Sequence, residues 1–354
     1  MRDPLPTGKL PVELLRELLG AAAPSRPEVR LGPALGEDAC AIDVPAGTLI
    51  AATDPITLTG SGVGSHAVLI NANDVAVMGV RPRWFLAVVL LPRGAAASDA
   101  RALFAAMRTA LDQVGAVLVG GHTEVTSAVT QALVVGQMLG LAEDGRFVRT
   151  GGARPGDAIL QVGPAPVEGA AVLAEEASDR LDAVAPEALA LARRALLQPG
   201  VSIVEPALLA AELGAVSLHD PTEGGLADGL HELAEASGVA VRLDEDSVLW
   251  FEPGRAVCRA LGADPWGVLA SGTLLAAFPA ESAERARAQL EAEGAPARVI
   301  GTAREGRGVE LSDGRALPRF GRDEVARVLG EAGAGGRVSA GSDRPRRGRE
   351  RGTR

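Results

Sequence analysis

The sequence predicts a two-domain chain of the α/β (α+β) class, and three observations carry that prediction. Apolar runs that read as strands alternate with stretches of helical periodicity, and glycine-rich loops stand at the strand ends. At 354 residues the chain is long enough for two domains of ordinary size, and its 47% apolar content fits a protein with real cores. The turn-forming stretch Gly151-Gly152-Ala153-Arg154-Pro155-Gly156-Asp157 marks a border with similar patterning on both sides. Domains are expected over 1–150 and 151–330, with a tail over 331–354.

Residues 10–19 carry apolar side chains at helical spacing and form a first helix. Residues 48–53 read as a strand, followed by a loop holding Gly60, Gly62 and Gly64. Ser65 is expected to cap a helix over 66–78, which places Asn73 and Asp74 on adjacent faces. Residues 83–91 are almost continuously apolar, the mark of a strand buried on both faces. Ser98 or Asp99 caps a helix to about residue 113, and 116–119 and 131–139 are further strands. Past the border, 158–162 is a strand, Glu168 opens a helix, 201–213 is helical, 216–218 is a short strand and 226–237 is an amphipathic helix. Strands over 239–243, 272–278 and 298–300 complete the pattern, with a helix over 281–293. From about residue 333 Gly, Ser, Asp and Arg dominate, and seven arginines fall between 337 and 354. That tail reads as disordered and solvated, with a weak contact to RNA or an acidic partner as the other reading.

Composition excludes several functions. Tyrosine is absent and aromatics make up only 3%, which argues against base-stacking platforms. A net charge of −10 opposes nonspecific nucleic-acid binding by the body of the protein. Cys40 and Cys258 are too few and too far apart for a disulfide framework or a zinc site. Asp38 beside Cys40 disfavours its thiolate. No signal peptide opens the sequence, and the longest apolar run is too short to span a bilayer, so a cytoplasmic protein with no membrane contact is expected.

Five short polar loops carry the chemistry: Gly36-Glu37-Asp38, Thr53-Asp54-Pro55, Asn71-Ala72-Asn73-Asp74, Gly120-Gly121-His122-Thr123-Glu124 and His219-Asp220-Pro221-Thr222-Glu223-Gly224-Gly225. Oxygen ligands beside glycines suit a hard divalent cation holding polyphosphate, and Mg²⁺ usually takes one or two carboxylates plus substrate phosphates. Asp38 and Asp54 taken singly are ordinary turn residues; as a pair they can reach one metal. Asn73 and Asp74 sit late in an apolar helix, where two buried polar groups are costly unless paired, so metal or phosphate contact competes with a packing hydrogen bond. Gly120 and Gly121 allow close approach of backbone to phosphate, and Thr123 and Glu124 can ligate or orient the ion. His122 reads as a neutral hydrogen-bonding residue or a proton shuttle. Asp220 precedes a helix N-terminus that favours anions, and His219 can act as acid or base near neutral pH; an ordinary capping loop is the alternative. His66 and His231 read as surface or packing residues. Neither a Walker A pattern nor a dinucleotide fingerprint is present. Among 35 Lys and Arg residues, Lys9 is the only lysine. It lies in Thr7-Gly8-Lys9-Leu10-Pro11, a segment suited to folding over phosphates, where a compact ammonium differs from a guanidinium.

Taken together, these loops, with Asn73-Asp74-Val75-Ala76-Val77-Met78-Gly79, Glu168-Gly169 and Asp220 to Leu226, resemble the aminoimidazole ribonucleotide (AIR) synthetase superfamily, in order, over about residues 5–320. Ala234-Glu235-Ala236-Ser237-Gly238-Val239 places the likeness nearest the hydrogenase maturation branch. The resemblance implies a PurM-like two-domain fold. Its N-terminal domain would pair in a homodimer through a strand-built barrel, and its C-terminal α/β domain would close over ATP. Asp38, Asp54, Asp74 and Glu124 match the Mg-ATP carboxylates, Asn73, Gly120, Gly121 and Thr123 fall among the nucleotide-binding positions, and Lys9 lies in the covering segment. Asp220, His219 and Lys9 are the implied catalytic group. The implied chemistry is phosphorylation of an amide-type or other oxygen, with a maturation partner protein or a small molecule supplying the substrate. A small-molecule kinase like thiamine-monophosphate kinase, or an ATP-binding scaffold, are the alternatives. The sequence departs from the pattern at Glu37, where a second Asp is common, and at Leu317-Pro318-Arg319-Phe320, where the maturation enzymes have a Pro-Arg-x-Cys tail. The selenophosphate branch is disfavoured, because no cysteine precedes Lys9.

Overall fold

The structure, a computed structural model, describes residues 5, 8–20, 26–31, 41–56 and 62–335. The first half holds β1 (Gly8–Lys9), α1 (Val12–Gly20), β2 (Val29–Leu31), β3 (Ala41–Ile42), β4 (Thr48–Ile56), α2 (Val63–Ala76), β5 (Pro82–Pro92), α3 (Ala97–Val114), β6 (Val117–Thr126) and β7 (Leu133–Ala142). Five of these strands form one sheet in the order β1-β6-β5-β7-β4, in which only β5 and β6 run parallel. Phe85, Ala87, Val89 and Leu91 alternate along β5 and meet α2 and α3 through Val68, Val75, Phe104 and Met107. The opposite face is covered at one end only, where Trp84, Val119 and Leu141 lie beneath the β2–β3 ribbon.

β5 is therefore not buried on both faces throughout. Val88 is 38% exposed and Leu90 half-buried, because the ribbon stops short of them. α2 begins earlier than expected. Its cap is Gly62 in the left-handed conformation, and Ser65 falls inside the first turn because buried Val63 already belongs to the helix. In α3 the cap is Ala96, and Asp99 acts from the third position, its Oδ2 accepting the Ala96 N–H at 2.9 Å.

The second half holds β8 (Ala158–Val162), α4 (Glu168–Glu176), α5 (Pro186–Arg193), α6 (Val204–Glu212), β9 (Ser217–His219), α7 (Gly225–Ser237), β10 (Ala240–Leu243), α8 (Glu252–Leu261), β11 (Leu274–Phe278), α9 (Ala280–Ala292), β12 (Ala297–Arg304), β13 (Gly308–Leu311) and α10 (Glu324–Gly335). Its six-stranded sheet runs β13-β10-β12-β8-β11-β9. α10 continues past residue 330 into the range expected to be tail, because Val325 and Val328 are buried in a cluster with Val172, Leu173 and Val257.

The two halves meet over a shared apolar core that runs from Phe85 and Val75 to Ala207 and Leu290. Polar contacts reinforce it: Arg81 grips Glu205 at 2.6 and 3.0 Å. This meeting line positions the candidate site.

Candidate active site

Asp54 stands near the end of edge strand β4, beside α2. Asn71, fully buried on α2, holds the backbone there: its Oδ1 accepts the Asp54 N–H at 2.8 Å, and its Nδ2 donates to the carbonyls of Asp54 (3.3 Å) and Ala67 (2.9 Å). Gly136 on β7 makes room for this clamp; a Cβ there would lie 2.5 Å from Asn71 Nδ2. Asp74, one turn on from Asn71, reaches Asp54, and the two carboxyls share a hydrogen bond. Burial, and then the neighbouring Asp54 charge, push Asp74 up to about 8. Asn73 turns the other way. Its Nδ2 donates to the Val201 carbonyl (2.8 Å) and its Oδ1 accepts the Ile203 N–H (2.9 Å). Its amide thus joins the two domains, the packing alternative set against phosphate contact, and it also lies close enough to Asp220 to favour that carboxylate.

From the second domain comes Asp220, just after β9. It is 7% exposed, and neither carboxylate oxygen makes a hydrogen bond of ordinary length and angle among the described residues. Burial raises its pKa well above the ordinary value, Asp74, Glu168 and Asp54 add to the rise, and the nearby Asn73 amide opposes it. Glu168 opens α4 and is also buried, which pushes it up to about 7 against a hydrogen bond from Ser271. His66, on the first turn of α2, places Nε2 3.9 Å from Glu168 Oε1. Asp323, ahead of α10, accepts the Gly224 N–H with Oδ2 (2.9 Å) and the Val325 N–H with Oδ1 (2.7 Å). The end of the loop leading into α7 is therefore already capped by a carboxylate of this chain. Asp54, Asp74, Asp220 and Glu168 consequently form one electrostatically coupled group spanning both domains.

The other expected residues lie elsewhere. Gly120, Gly121, Thr123 and Glu124 sit inside β6, not in a loop. Gly121, at φ +144°, serves strand packing: a Cβ there would lie 2.0 Å from the Ala87 carbonyl oxygen. β5 and β7 separate β6 from β4, so Glu124 and Asp54 are three strand spacings, about 14 Å, apart across the sheet and about 10 Å apart along it. They also face opposite ways. Asp54 registers with Gly136 and through it with Ala87 on the helix-covered face, whereas Glu124 registers with Leu90 on the open face. Thr123 lies opposite Val89, and Lys9 pairs with Glu124 at the far edge of the sheet. His122 Nε2 lies 3.4 Å from Glu124. His219 Nε2 is 2.8 Å from Glu232 on α7, so its ring is engaged outside the carboxylate group that holds Asp220. Asp38 and Cys40 lie outside the described residues.

Family models settle the family. The N-terminal domain model of AIR synthase related proteins matches residues 36–142, and the C-terminal domain model matches residues 154–314. The chain belongs to the AIR synthase related protein family. Carbamoyl dehydratase HypE of Azotobacter vinelandii is 33% identical over 279 residues, covering 75% of this chain and 78% of that protein. Hydrogenase expression/formation protein HupE of Azotobacter chroococcum mcd 1 is 32% identical over 281 residues, with the same coverage of each. The crystal structure of hydrogenase maturation protein HypE in complex with ATP superposes with a TM-score of 0.70 at 26% identity, over 85% of this chain and 92% of that one. Thiamine-monophosphate kinase from Stenotrophomonas maltophilia K279a shares the fold, with a TM-score of 0.69 at 21% identity over 89% and 100%. The family's two-domain fold thus accounts for both sheets.

The residues present fit a divalent cation arriving with phosphate ligands. Asp54 and Asp74 lie close enough to share a proton, which a cation can replace, and the buried Asp220 carboxyl faces them. Among the described residues no three His, Cys, Asp or Glu side chains close into a ready-made ion site. The sequence reading had Glu168 in the family motif series and His66 as a surface or packing residue, and gave neither these two nor Asn71 a place in the site. Asn71 stood in a noted loop, but its role is to hold backbone, and no sequence pattern shows that.

Proposed function

We propose that this chain is a Mg-ATP-dependent enzyme of the carbamoyl dehydratase type, phosphorylating an amide-type or other oxygen of a substrate in metallocentre maturation. The carrying observation is Asp220, buried with neither oxygen in a hydrogen bond of ordinary geometry and facing Asp74 and Asp54 across the domain boundary. Asp38, Asp54 and Asp74 hold Mg²⁺ in this reading, and the ion supplies charge neutralisation of the triphosphate. Asn71 keeps Asp54 at a fixed height, Asn73 fixes the second domain relative to Asp74, and Asp220 accepts N–H groups of the acceptor substrate.

Cys258 does not carry the acceptor group: it is fully buried, and burial pushes its thiol up to about 12. Phe320 is docked, its N–H donating to Asp228 at 3.1 Å, and α10 follows onto the second domain. In this reading the acceptor is a small molecule or is borne by a maturation partner protein. Glu124, on the open face, and Lys9, paired with it at the sheet edge, serve the nucleotide in a homodimer, where a second copy covers the open sheet face bearing Val88, Leu90 and Leu49. Val88→Asp is expected to convert a dimer into monomers on size exclusion with light scattering; an unchanged mass removes this face from the interface.

Phosphorus NMR of the protein with Mg-ATP and candidate acceptors tests the function. ADP with phosphate, or with a phosphorylated product, is expected, and Lys9→Arg should slow its appearance by about tenfold or more. Phosphate release marks a dehydratase and a stable phosphorylated product a kinase. Mg²⁺-dependent broadening of ATP without turnover under any condition leaves only a scaffold.

A further inference from the structure

We propose that Glu168 and His66 form a one-proton dyad that takes the proton released from the acceptor substrate as ATP phosphorylates it. The inference rests on the ATP-dependent reading above. His66 comes from the first domain and Glu168 from the second, and both are more than nine-tenths buried. Their facing atoms are 3.9 Å apart, and His66 Nε2 has no hydrogen-bond partner. The Gly62 carbonyl accepts from the ring, so the other nitrogen, Nδ1, carries the proton and Nε2 presents a lone pair towards Glu168. An imidazole held this way accepts a proton or hydrogen bond from a carboxylic acid. It repels the bare carboxylate only weakly, so Glu168 exists in both forms without breaking the site.

The neighbouring groups favour this use. Ser271 donates to Glu168. The titratable groups facing Glu168 are His66 from α2, Asp220 and Glu223 from the loop before α7, and Asp323 ahead of α10. α5 and α8 meet α4 through an apolar cluster of Val172, Ala192, Val257 and Cys258, and Arg193 of α5 donates to the Ala174 carbonyl, six residues or about 9 Å along α4 from Glu168. Burial raises Glu168 to about 7 and holds His66 below its ordinary value. The single proton therefore rests on Glu168 below neutrality, and above it Glu168 is a free base.

In the reaction the acceptor oxygen forms a bond to the γ-phosphorus as the bond to ADP breaks. The acceptor's N–H or O–H proton moves to the Glu168 carboxylate, and the new carboxyl donates to His66 Nε2. Release of that proton to water resets the pair.

Glu168→Gln, Glu168→Asp and His66→Gln are compared by kcat and KM for Mg-ATP from pH 5.5 to 9, with thermal melts of each variant. Glu168→Gln is expected to lose about 10²–10⁴-fold in kcat, keep KM within about twofold and lose the acidic limb near pH 7. Glu168→Asp should restore part of the rate, and His66→Gln should move the midpoint of that limb. Overturning results are a Glu168→Gln enzyme within about threefold of the native rate, or kcat, KM and melting temperature falling together with no movement of the limb. If the native protein turns over no ATP, the functional reading fails by itself. Nitrogen NMR of histidine-labelled protein then judges the dyad: a His66 ring that titrates differently in native and Glu168→Gln protein upholds it, and identical titrations overturn it.

Discussion

Asp74→Asn is expected to abolish ATP turnover, by about a thousandfold or more, while the protein stays folded. The reasoning begins with the charge. Asp74 and Asp54 are close enough to share a hydrogen bond, and without a cation one of them must keep a proton. A metal replaces that proton and turns repulsion into ligation. Asparagine has the same shape and can still hydrogen-bond Asp54, so packing along α2 is preserved. It lacks the charge, and the ion loses a strong ligand where the triphosphate must be neutralised. The metal-free variant should melt no lower than the native protein, and higher above pH 8, where the native pair is forced to carry two charges. Phosphorus NMR and thermal melts read both effects; normal turnover in Asp74→Asn would sink the metal assignment.

Raising the pH should destabilise the metal-free protein. Asp323, Glu168 and Asp74 are pushed up to about 6, 7 and 8, and Asp220 rises as well, all mainly by burial. Unfolded carboxyls ionise near pH 4. Between about pH 4 and 8 the folded chain therefore holds protons that the unfolded chain has released, so stability is greatest at the bottom of this window and falls as pH rises through it. The exposed pairs, such as Glu284 with Arg287, have lowered carboxyls and lose their contribution only on further acidification, and the lowered pKa of buried His66 opposes the trend by a single group below about pH 6.5, against four raised carboxyls. A drop in melting temperature of about 5–10 °C from pH 5 to 8.5 is expected, largely removed by Mg-ATP. A flat or rising profile without metal would show that these carboxyls do not share one buried site.

Much of the architecture was legible in the chain because its signals are local. The strand over 158–162 was expected with the bounds it has, since five consecutive apolar or amide residues follow a turn-rich border. α7 was placed within a residue at its start, because Gly224-Gly225 and Gly238 punctuate it. α8 went unseen because Pro253 and Gly254 look like a turn, yet proline suits the first turn of a helix and Gly254 packs against Pro166. α10 was hidden by its small residues, which spell disorder until Val325 and Val328 find an apolar cluster.

At the site, the sequence by itself determined the inventory. It fixed which carboxylates are available, that Lys9 is the only lysine, and that the loops occur in the family's order. Tertiary structure decided how they are grouped. Strand order put Glu124 about 14 Å across the sheet from Asp54 and on the other face, because sheet pairing is set by long-range register. Domain packing turned Asn73 into a clamp and brought Glu168 and Asp220, far along the chain, to Asp74 and Asp54. It also gave those carboxyls their raised pKa values. Burial is a property of what surrounds a side chain, and the surroundings of Asp220 come from both halves of the fold.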